Sequence, residues 1–65
     1  MLLIRQERIN KAWTLEKVAR QVGVTNQSIS RIETGKSKPS FDVLAKLEDL
    51  FGKDYRELFN LPPRQ

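Results

Sequence analysis

The fold of this chain is decided by the stretch LEKVARQVGVTNQSISRIE, which covers residues 15–33 of 65. Two helices that cross at about 90–120° through a short turn need a small residue where the second helix passes over the first. Ala19 is such a residue, and Gly23, four positions later, tolerates the positive φ that the turn requires. Apolar residues bracket the turn and line the inner side of the second helix: Val18, Val22, Val24, Ile29 and Ile32. Together these spacings predict a helix-turn-helix over about residues 15–34.

Short helices are expected on both sides of this unit, because apolar residues recur at helical spacing between capping and stop residues. The expected N-caps are Thr14, Thr25, Ser40 and Asp54, and the expected stops are Gly23, Gly35 and Gly52. The flanking helices are a first from Ile4 to about Lys11, a fourth with Phe41, Leu44, Leu47 and Phe51 inward, and a short fifth with Tyr55, Leu58 and Phe59. We therefore predict a compact all-α, five-helix domain over residues 1–61, followed by a proline-containing, non-helical tail at 62–65.

The composition argues against an enzyme. The sequence contains no Cys and no His, which removes disulfides, zinc clusters, the usual general base and the commonest neutral metal ligand. A chain of this size buries only about 60% of the surface of its unfolded state, which leaves little room for a catalytic cleft. We expect no enzymatic activity, no cofactor, no metal and no small-molecule substrate. The apolar start is too short for a signal peptide or a membrane span, so we expect a cytoplasmic protein without a membrane partner.

Positive charge is concentrated in the first forty residues. Residues 1–40 carry eight basic and three acidic residues, whereas residues 41–65 carry four basic and five acidic residues. A basic face suits a polyanion such as nucleic acid. Charge alone leaves an ordinary solvated surface open as the alternative.

The outward face of the third helix carries side chains that suit base recognition. Its members are Asn26, Gln27, Ser30 and Arg31. Asn and Gln can bond N6 and N7 of adenine together, and Arg can bond O6 and N7 of guanine. A recognition helix reads bases in the major groove with residues near its N-terminus. We therefore predict that this face contacts the bases of double-stranded DNA; the alternative is a polar surface helix without a partner.

Three other parts of the chain suit phosphate contacts, which use hydroxyls, amides at helix N-termini, and Lys or Arg side chains. These parts are the start of the second helix, the start of the third helix and the basic loop after the third helix. The predicted phosphate contacts are Thr14, Lys17, Thr25, Ser28, Lys36, Ser37 and Lys38. For the two loop lysines, the alternative is a solvated loop.

The run from Trp13 to Pro39 resembles the XRE/Cro/C1 helix-turn-helix family of phage repressors and bacterial regulators, most specifically in the segment ISRIETGK at residues 29–36. With the later apolar residues, the resemblance covers nearly the whole chain. It implies the lambda-repressor-like five-helix fold, regulation of transcription by sequence-specific DNA binding, most simply as a repressor, and commonly a homodimer on an inverted-repeat operator.

The resemblance also implies roles for particular residues. Family members often pair an arginine of the first helix with a glutamate that ends the third, which here would be Arg8 and Glu33. Trp13 occupies a position that is an apolar packing residue in the family, so we expect it in the core. One departure is Leu15, because members frequently carry at this position a glutamine that contacts the DNA backbone or supports the recognition helix.

A dimer interface is predicted in the last third of the chain, where apolar residues recur beside the inward stripes. The predicted interface residues are Leu50, Tyr55, Leu58, Phe59 and Leu61. The alternative is that these residues close a small core. Two other functions stay open: an antitoxin or controller-type autoregulator would add a protein partner, and a protein-interaction adaptor would keep the fold without DNA binding.

Overall fold

Five α-helices make up most of the chain that the computed structural model describes, which is residues 2–61. They are α1 (Leu3–Asn10), α2 (Leu15–Val22), α3 (Asn26–Glu33), α4 (Phe41–Phe51) and α5 (Tyr55–Leu58). No strand occurs within residues 2–61, so the predicted all-α, five-helix fold is confirmed. In the same range no helix is long and apolar enough to cross a bilayer. The predicted tail at 62–65 lies outside the described residues.

Capping residues in the local sequence set the starts of four helices. In each case a side-chain oxygen accepts a hydrogen bond from a backbone amide of the first turn. The caps are Thr14 for α2, Thr25 for α3, Ser40 for α4 and Asp54 for α5, as predicted. Gly23 ends α2 with a φ of 78°, and the amides of Gly23 and Val24 both donate to the carbonyl of Ala19. This tight end of α2 directs the chain into α3.

The core forms around α2, which packs against both α3 and α4, while α5 packs against α1 and α4. The buried apolar residues are Ile4, Val18, Ala19, Val22, Ile29, Ile32, Leu47, Phe51 and Leu58. Each fully buried Val, Leu or Ile side chain contributes about 1.5–3 kcal/mol relative to an exposed one. The helix-turn-helix is therefore held by the inward residues that its spacing predicts, with Val24 half-buried against them.

Two apolar residues, Phe41 and Leu58, do not lie where the sequence predicted, and Leu50 lies apart from the other predicted interface residues. Phe41 is 89% exposed, because at about 100° per residue the first position of α4 lies roughly 100° from the direction of Leu47 and Phe51. Leu50 is half-buried and packs against the core, and it borders a surface lined by Gln21, Lys46 and Asp49 rather than by the other predicted interface residues. Leu58 is completely buried, and it therefore belongs to the core rather than to a face that another chain could contact.

The two ends of α1 depend on features that the sequence did not indicate. Leu2, the residue before α1, provides no side-chain cap; instead the Oδ1 atom of Asn60 accepts a hydrogen bond of 3.0 Å from the amide of Leu3. At the other end, Ala12 adopts a φ of 58°, a left-handed conformation that usually calls for glycine. The first helix is thus closed by a residue near the end of α5 and by a strained turn.

Candidate nucleic-acid interface

The outer face of α3 is exposed and its side chains are available to a partner. The four predicted base-contacting residues, Asn26, Gln27, Ser30 and Arg31, are all exposed. At about 100° per residue they cover roughly 140° of the helix surface, on the side opposite to the buried isoleucines. The side chains of Asn26, Gln27 and Arg31 make no hydrogen bond or ion pair with other groups of residues 2–61. The fold therefore brings these residues together on one face with their donors and acceptors free.

The end of α3 is fixed by a buried ion pair between Arg8 and Glu33, the pair that the resemblance implies. The Nε atom of Arg8 donates to Oε2 of Glu33 at 2.7 Å, and Nη2 of Arg8 donates to Oε1 at 3.3 Å. The two side chains are only 12% and 4% exposed. The remaining nitrogen, Nη1, donates to the carbonyl of Trp13 at 2.8 Å. One guanidinium group therefore joins α1, the segment before α2 and the end of α3.

The capping hydroxyls at the starts of α2 and α3 differ in whether their protons remain available to a partner molecule. The Oγ1 atom of Thr14 accepts from the amide of Lys17 at 3.0 Å, and its own proton has no acceptor within residues 2–61. The Oγ1 atom of Thr25 accepts from the amide of Ser28 at 3.1 Å and also donates to the hydroxyl of Ser28 at 3.0 Å. At the start of α3, the hydroxyl proton of Ser28 therefore remains available, whereas the hydroxyl proton of Thr25 is donated to Ser28.

The basic loop after α3 leaves its side chains exposed. Lys36, Ser37 and Lys38 are all exposed, and neither lysine forms an ion pair within residues 2–61. The amide of Lys36 donates to the carbonyl of Arg31 at 2.9 Å, which ties the start of the loop to the last turn of α3. The loop thus places two positive side chains directly beyond the exposed face of α3.

Leu15, which stands where the family frequently has a glutamine, is half-buried and packs against the core. Its side chain offers no hydrogen-bonding group to a phosphate. At the start of α2 this leaves the hydroxyl of Thr14, the exposed side chain of Lys17 and the free amides of the first turn.

An apolar groove lies beside the basic loop and involves part of the predicted dimer interface. Its volume is about 370 Å³, and its apolar lining includes Pro39, Leu44, Tyr55, Phe59 and Leu61. Leu61 is 48% exposed, and the two aromatic residues are half-buried. Three of the five predicted interface residues therefore share this surface, while Leu50 and Leu58 do not.

A cationic cluster beside α2 was missed by the sequence reasoning. The ammonium nitrogens of Lys11 and Lys17 lie 5.5 and 5.7 Å from the centroid of the Trp13 ring. The ring itself is half-buried against Phe51, with the two ring centroids 5.4 Å apart, in line with the expected packing role of Trp13. The sequence shows only that a tryptophan stands between two lysines. That spacing does not determine the path of the α1–α2 turn, on which the positions of the lysines around the ring depend.

Comparison with known proteins identifies the family. The family model described as "Helix-turn-helix" matches residues 4–58, which is most of the chain. The chain belongs to the XRE/Cro/C1-type helix-turn-helix family. Members of this family are DNA-binding regulators of transcription, and the membership agrees with the expectation that the chain is not an enzyme.

Two relatives from archaea have similar sequences. An uncharacterized HTH-type transcriptional regulator of Methanothermobacter thermautotrophicus is 34% identical over 55 residues, which are 85% of this chain and 80% of the relative. A candidate HTH-type transcriptional regulatory protein of Halorubrum lacusprofundi is 34% identical over 53 residues, which are 82% of this chain. The chain spans only 16% of the length of that second relative. No solved structure matches the chain significantly.

Proposed function

We propose that this helix-turn-helix protein binds a specific DNA operator with α3 in the major groove and represses transcription by occupying a promoter. The observation that carries the proposal is the exposed face of α3, where Asn26, Gln27 and Arg31 have no partner within residues 2–61. Two amides and a guanidinium on one helical face match the bidentate patterns of adenine and guanine. An adaptor surface would need bulky apolar or acidic residues on this face, and it has none.

Phosphate contacts on both sides of α3 would set its register on the duplex. The hydroxyls of Thr14 and Ser28 can each donate to a phosphate oxygen, and Lys36 and Lys38 can neutralise phosphates beyond the end of the helix. Thr25 supports this arrangement indirectly, because its hydroxyl fixes the conformation of Ser28. These contacts supply affinity that does not depend on sequence, whereas the α3 face supplies specificity.

A homodimer on an inverted repeat completes the proposal. One helix-turn-helix module has limited affinity, and two recognition helices about 34–36 Å apart reach successive major grooves. The apolar groove that contains Tyr55, Phe59 and Leu61 offers a surface for the second copy. The apolar groove lies beside the basic loop, so dimer formation would also stabilise the conformation of the loop that contacts phosphates.

Replacing Arg31 tests the base-reading role. Arg31→Ala is expected to weaken binding to the preferred duplex by about 1–3 kcal/mol and to relax the preference at one base pair of each half-site, because a bidentate contact is lost. Lys36→Ala is the matched comparison: it is expected to weaken binding to every duplex alike and to reduce the salt dependence. Fluorescence anisotropy with preferred and scrambled duplexes measures both. An Arg31→Ala loss that is equal for all sequences would contradict base reading by this residue.

Two matched substitutions test the proposed homodimer. Leu61 and Ile9 are both about half-exposed, at 48% and 46%, but only Leu61 lines the apolar groove. Leu61→Lys is expected to convert the dimer to a monomer in sedimentation equilibrium, and Ile9→Lys is expected to leave it intact. A wild-type chain that remains monomeric both free and on DNA would contradict the proposed homodimer.

A further inference from the structure

An exposed aromatic side chain borders the apolar groove beside the basic loop. Phe41, the first residue of α4, is 89% exposed and makes no ring contact within residues 2–61. Pro39 and Leu44, which stand on either side of Phe41 in the sequence, both line the groove. Residues three apart on a helix, such as Phe41 and Leu44, are neighbours with about 5–6 Å between their Cβ atoms. Phe41 therefore lies at the edge of the groove and does not fill it.

We propose that Phe41 of one copy inserts into the apolar groove of a second copy and anchors the homodimer. This inference rests on the proposed function and names the side chain that occupies its dimer surface. The groove has a volume of about 370 Å³, and its lining includes the rings of Tyr55 and Phe59. An aromatic side chain buries about 150–250 Å² and packs favourably against other rings. Insertion would remove from water the most exposed large apolar side chain within residues 2–61.

The closeness of Phe41 to the groove determines which kind of assembly can form. In a two-fold interface both copies use the same surface patch, so a side chain and the groove that receives it must share that patch. Phe41 and the groove meet this condition because the chain on both sides of Phe41 lines the groove. Each copy can therefore insert its own Phe41 and receive that of the other copy. The interface is then complete with two copies and leaves no groove open for a third.

Two charges beside these apolar elements complement each other across such an interface. Asp42 directly follows Phe41, and Lys38 is part of the lining of the groove. Both side chains are exposed, and neither forms an ion pair or a hydrogen bond within residues 2–61. When Phe41 enters the groove of the other copy, Asp42 comes with it toward the partner's Lys38. An ammonium group donates more than one hydrogen bond, so Lys38 can bond this carboxylate and still face a phosphate.

The charge of Asp42 also favours a protein over DNA as the partner of Phe41. A carboxylate next to the aromatic ring would be repelled by the phosphates of a duplex. The free ammonium group at the groove of a second copy attracts it instead. The apolar ring and the adjacent acidic group therefore fit one and the same surface, which the chain itself provides.

Phe41→Ala is expected to raise the dimer dissociation constant of the chain about 100-fold, because both halves of the interface lose their anchor. Sedimentation equilibrium measures the constant, and circular dichroism checks the fold, to which a side chain that is 89% exposed contributes little. Ile9→Ala is the matched control, because Ile9 is 46% exposed and lies outside the groove. It is expected to keep the wild-type constant.

Equal constants for Phe41→Ala and Ile9→Ala would overturn the proposal and leave DNA recognition by α3 intact. An unchanged dimer constant together with weaker binding of Phe41→Ala to a duplex with a single half-site would also overturn it, in favour of DNA as the partner. A wild-type chain that stays monomeric, both free and on DNA, would instead overturn the proposed homodimer itself.

Exchange of the two charges tests the pairing of the copies. Lys38→Asp and Asp42→Lys are each expected to weaken the dimer about 10-fold, because like charges then meet at both symmetry-related contacts. An equimolar mixture of the two variants, and the double variant, are expected to recover the wild-type constant, because opposite charges meet again. Asp49→Lys is the control: Asp49 is an exposed acid of α4 outside the groove, and Lys38→Asp is not expected to compensate for it. No recovery in the mixture or in the double variant would overturn the proposed contact.

Discussion

The helix-turn-helix unit and the ends of the described chain are stabilised by hydrogen bonds of different range along the sequence. Between residues 14 and 34, each helix starts at a cap that bonds an amide three residues away, as Thr14 and Thr25 show. At the ends, the decisive bonds cross the molecule: the amide of Leu3 donates to Asn60, 57 positions later. The backbone amide of Tyr55 likewise donates to the side chain of Glu48 on the preceding helix. The starts of α2 and α3 are therefore set by local hydrogen bonds, whereas the ends of the described chain are fixed by bonds between different helices.

The Arg8–Glu33 ion pair connects these two regions. Only one ionic contact, between Arg8 and Glu33, joins α3 directly to α1 within residues 2–61. If that contact is lost, α3 keeps its apolar packing against α2 but loses its direct ionic bond to α1. The following changes test the contrast between local and tertiary stabilisation, beginning with the contact that joins the two regions.

Glu33→Ala is expected to have the largest effect, a loss of about 3–5 kcal/mol in the free energy of unfolding. The physical reason is that it leaves the charge of Arg8, a side chain only 12% exposed, without its partner. Such a loss is a large fraction of the stability of a small domain. Urea denaturation followed by circular dichroism measures it. The control is Glu16→Ala, which removes an exposed pair within α2 and is expected to cost about 0.3–0.5 kcal/mol. Similar losses for the two variants would contradict the structural role of the buried pair.

Asn60→Ala is expected to lower the free energy of unfolding by about 1–2 kcal/mol. It removes the acceptor for the amide of Leu3 and places an alanine at a φ of 57°. Asn60→Gly removes the same acceptor but tolerates this φ, so the difference between the two variants separates the cap from the backbone strain. Thermal denaturation of both measures the two parts. Wild-type stability in both variants would show that the cross-molecule cap contributes nothing.

Ala12→Gly is expected to have the smallest effect and the opposite sign, a gain of about 0.5–1 kcal/mol. The φ of 58° at Ala12 is strained for alanine, and the relief exceeds the extra entropy that glycine has in the unfolded chain. Gly23→Ala is the reverse substitution at another left-handed position, the end of α2. There φ is 78° and an added Cβ would meet nothing within 4 Å. It is expected to destabilise the protein through backbone conformation alone. An Ala12→Gly variant less stable than wild type would refute the assignment of strain.

The sequence predicted the features that depend on neighbouring residues. The caps Thr14 and Thr25, the stop at Gly23 and the buried isoleucines of α3 follow from short spacings with a direct physical reason. The grouping of polar side chains on the outer face of α3 followed from the same helical period. These features define the fold and most of the candidate site.

The features that the sequence did not predict depend on how distant segments meet. Phe41 stands three residues before Leu44, as an inward residue of α4 would, but the buried face of α4 is centred on Leu47 and Phe51, about 100° away from Phe41. From the sequence, Leu58 could face either the core or a second chain. The packing of α5 against α1 and α4 buries it completely. The placement of two lysines on Trp13 needs the path of the α1–α2 turn, which includes the left-handed Ala12.

The proposed function depends on recognition of a specific DNA sequence by the exposed face of α3. The most direct test is selection of duplexes from a random pool by the wild-type chain and by Arg31→Ala, with the mass of each bound complex measured. We expect the wild-type chain to enrich an inverted repeat bound by two copies, and the variant to enrich the same repeat with one base pair of each half-site degenerate. Failure of the wild-type chain to enrich any sequence, while it remains folded, would contradict sequence recognition by α3.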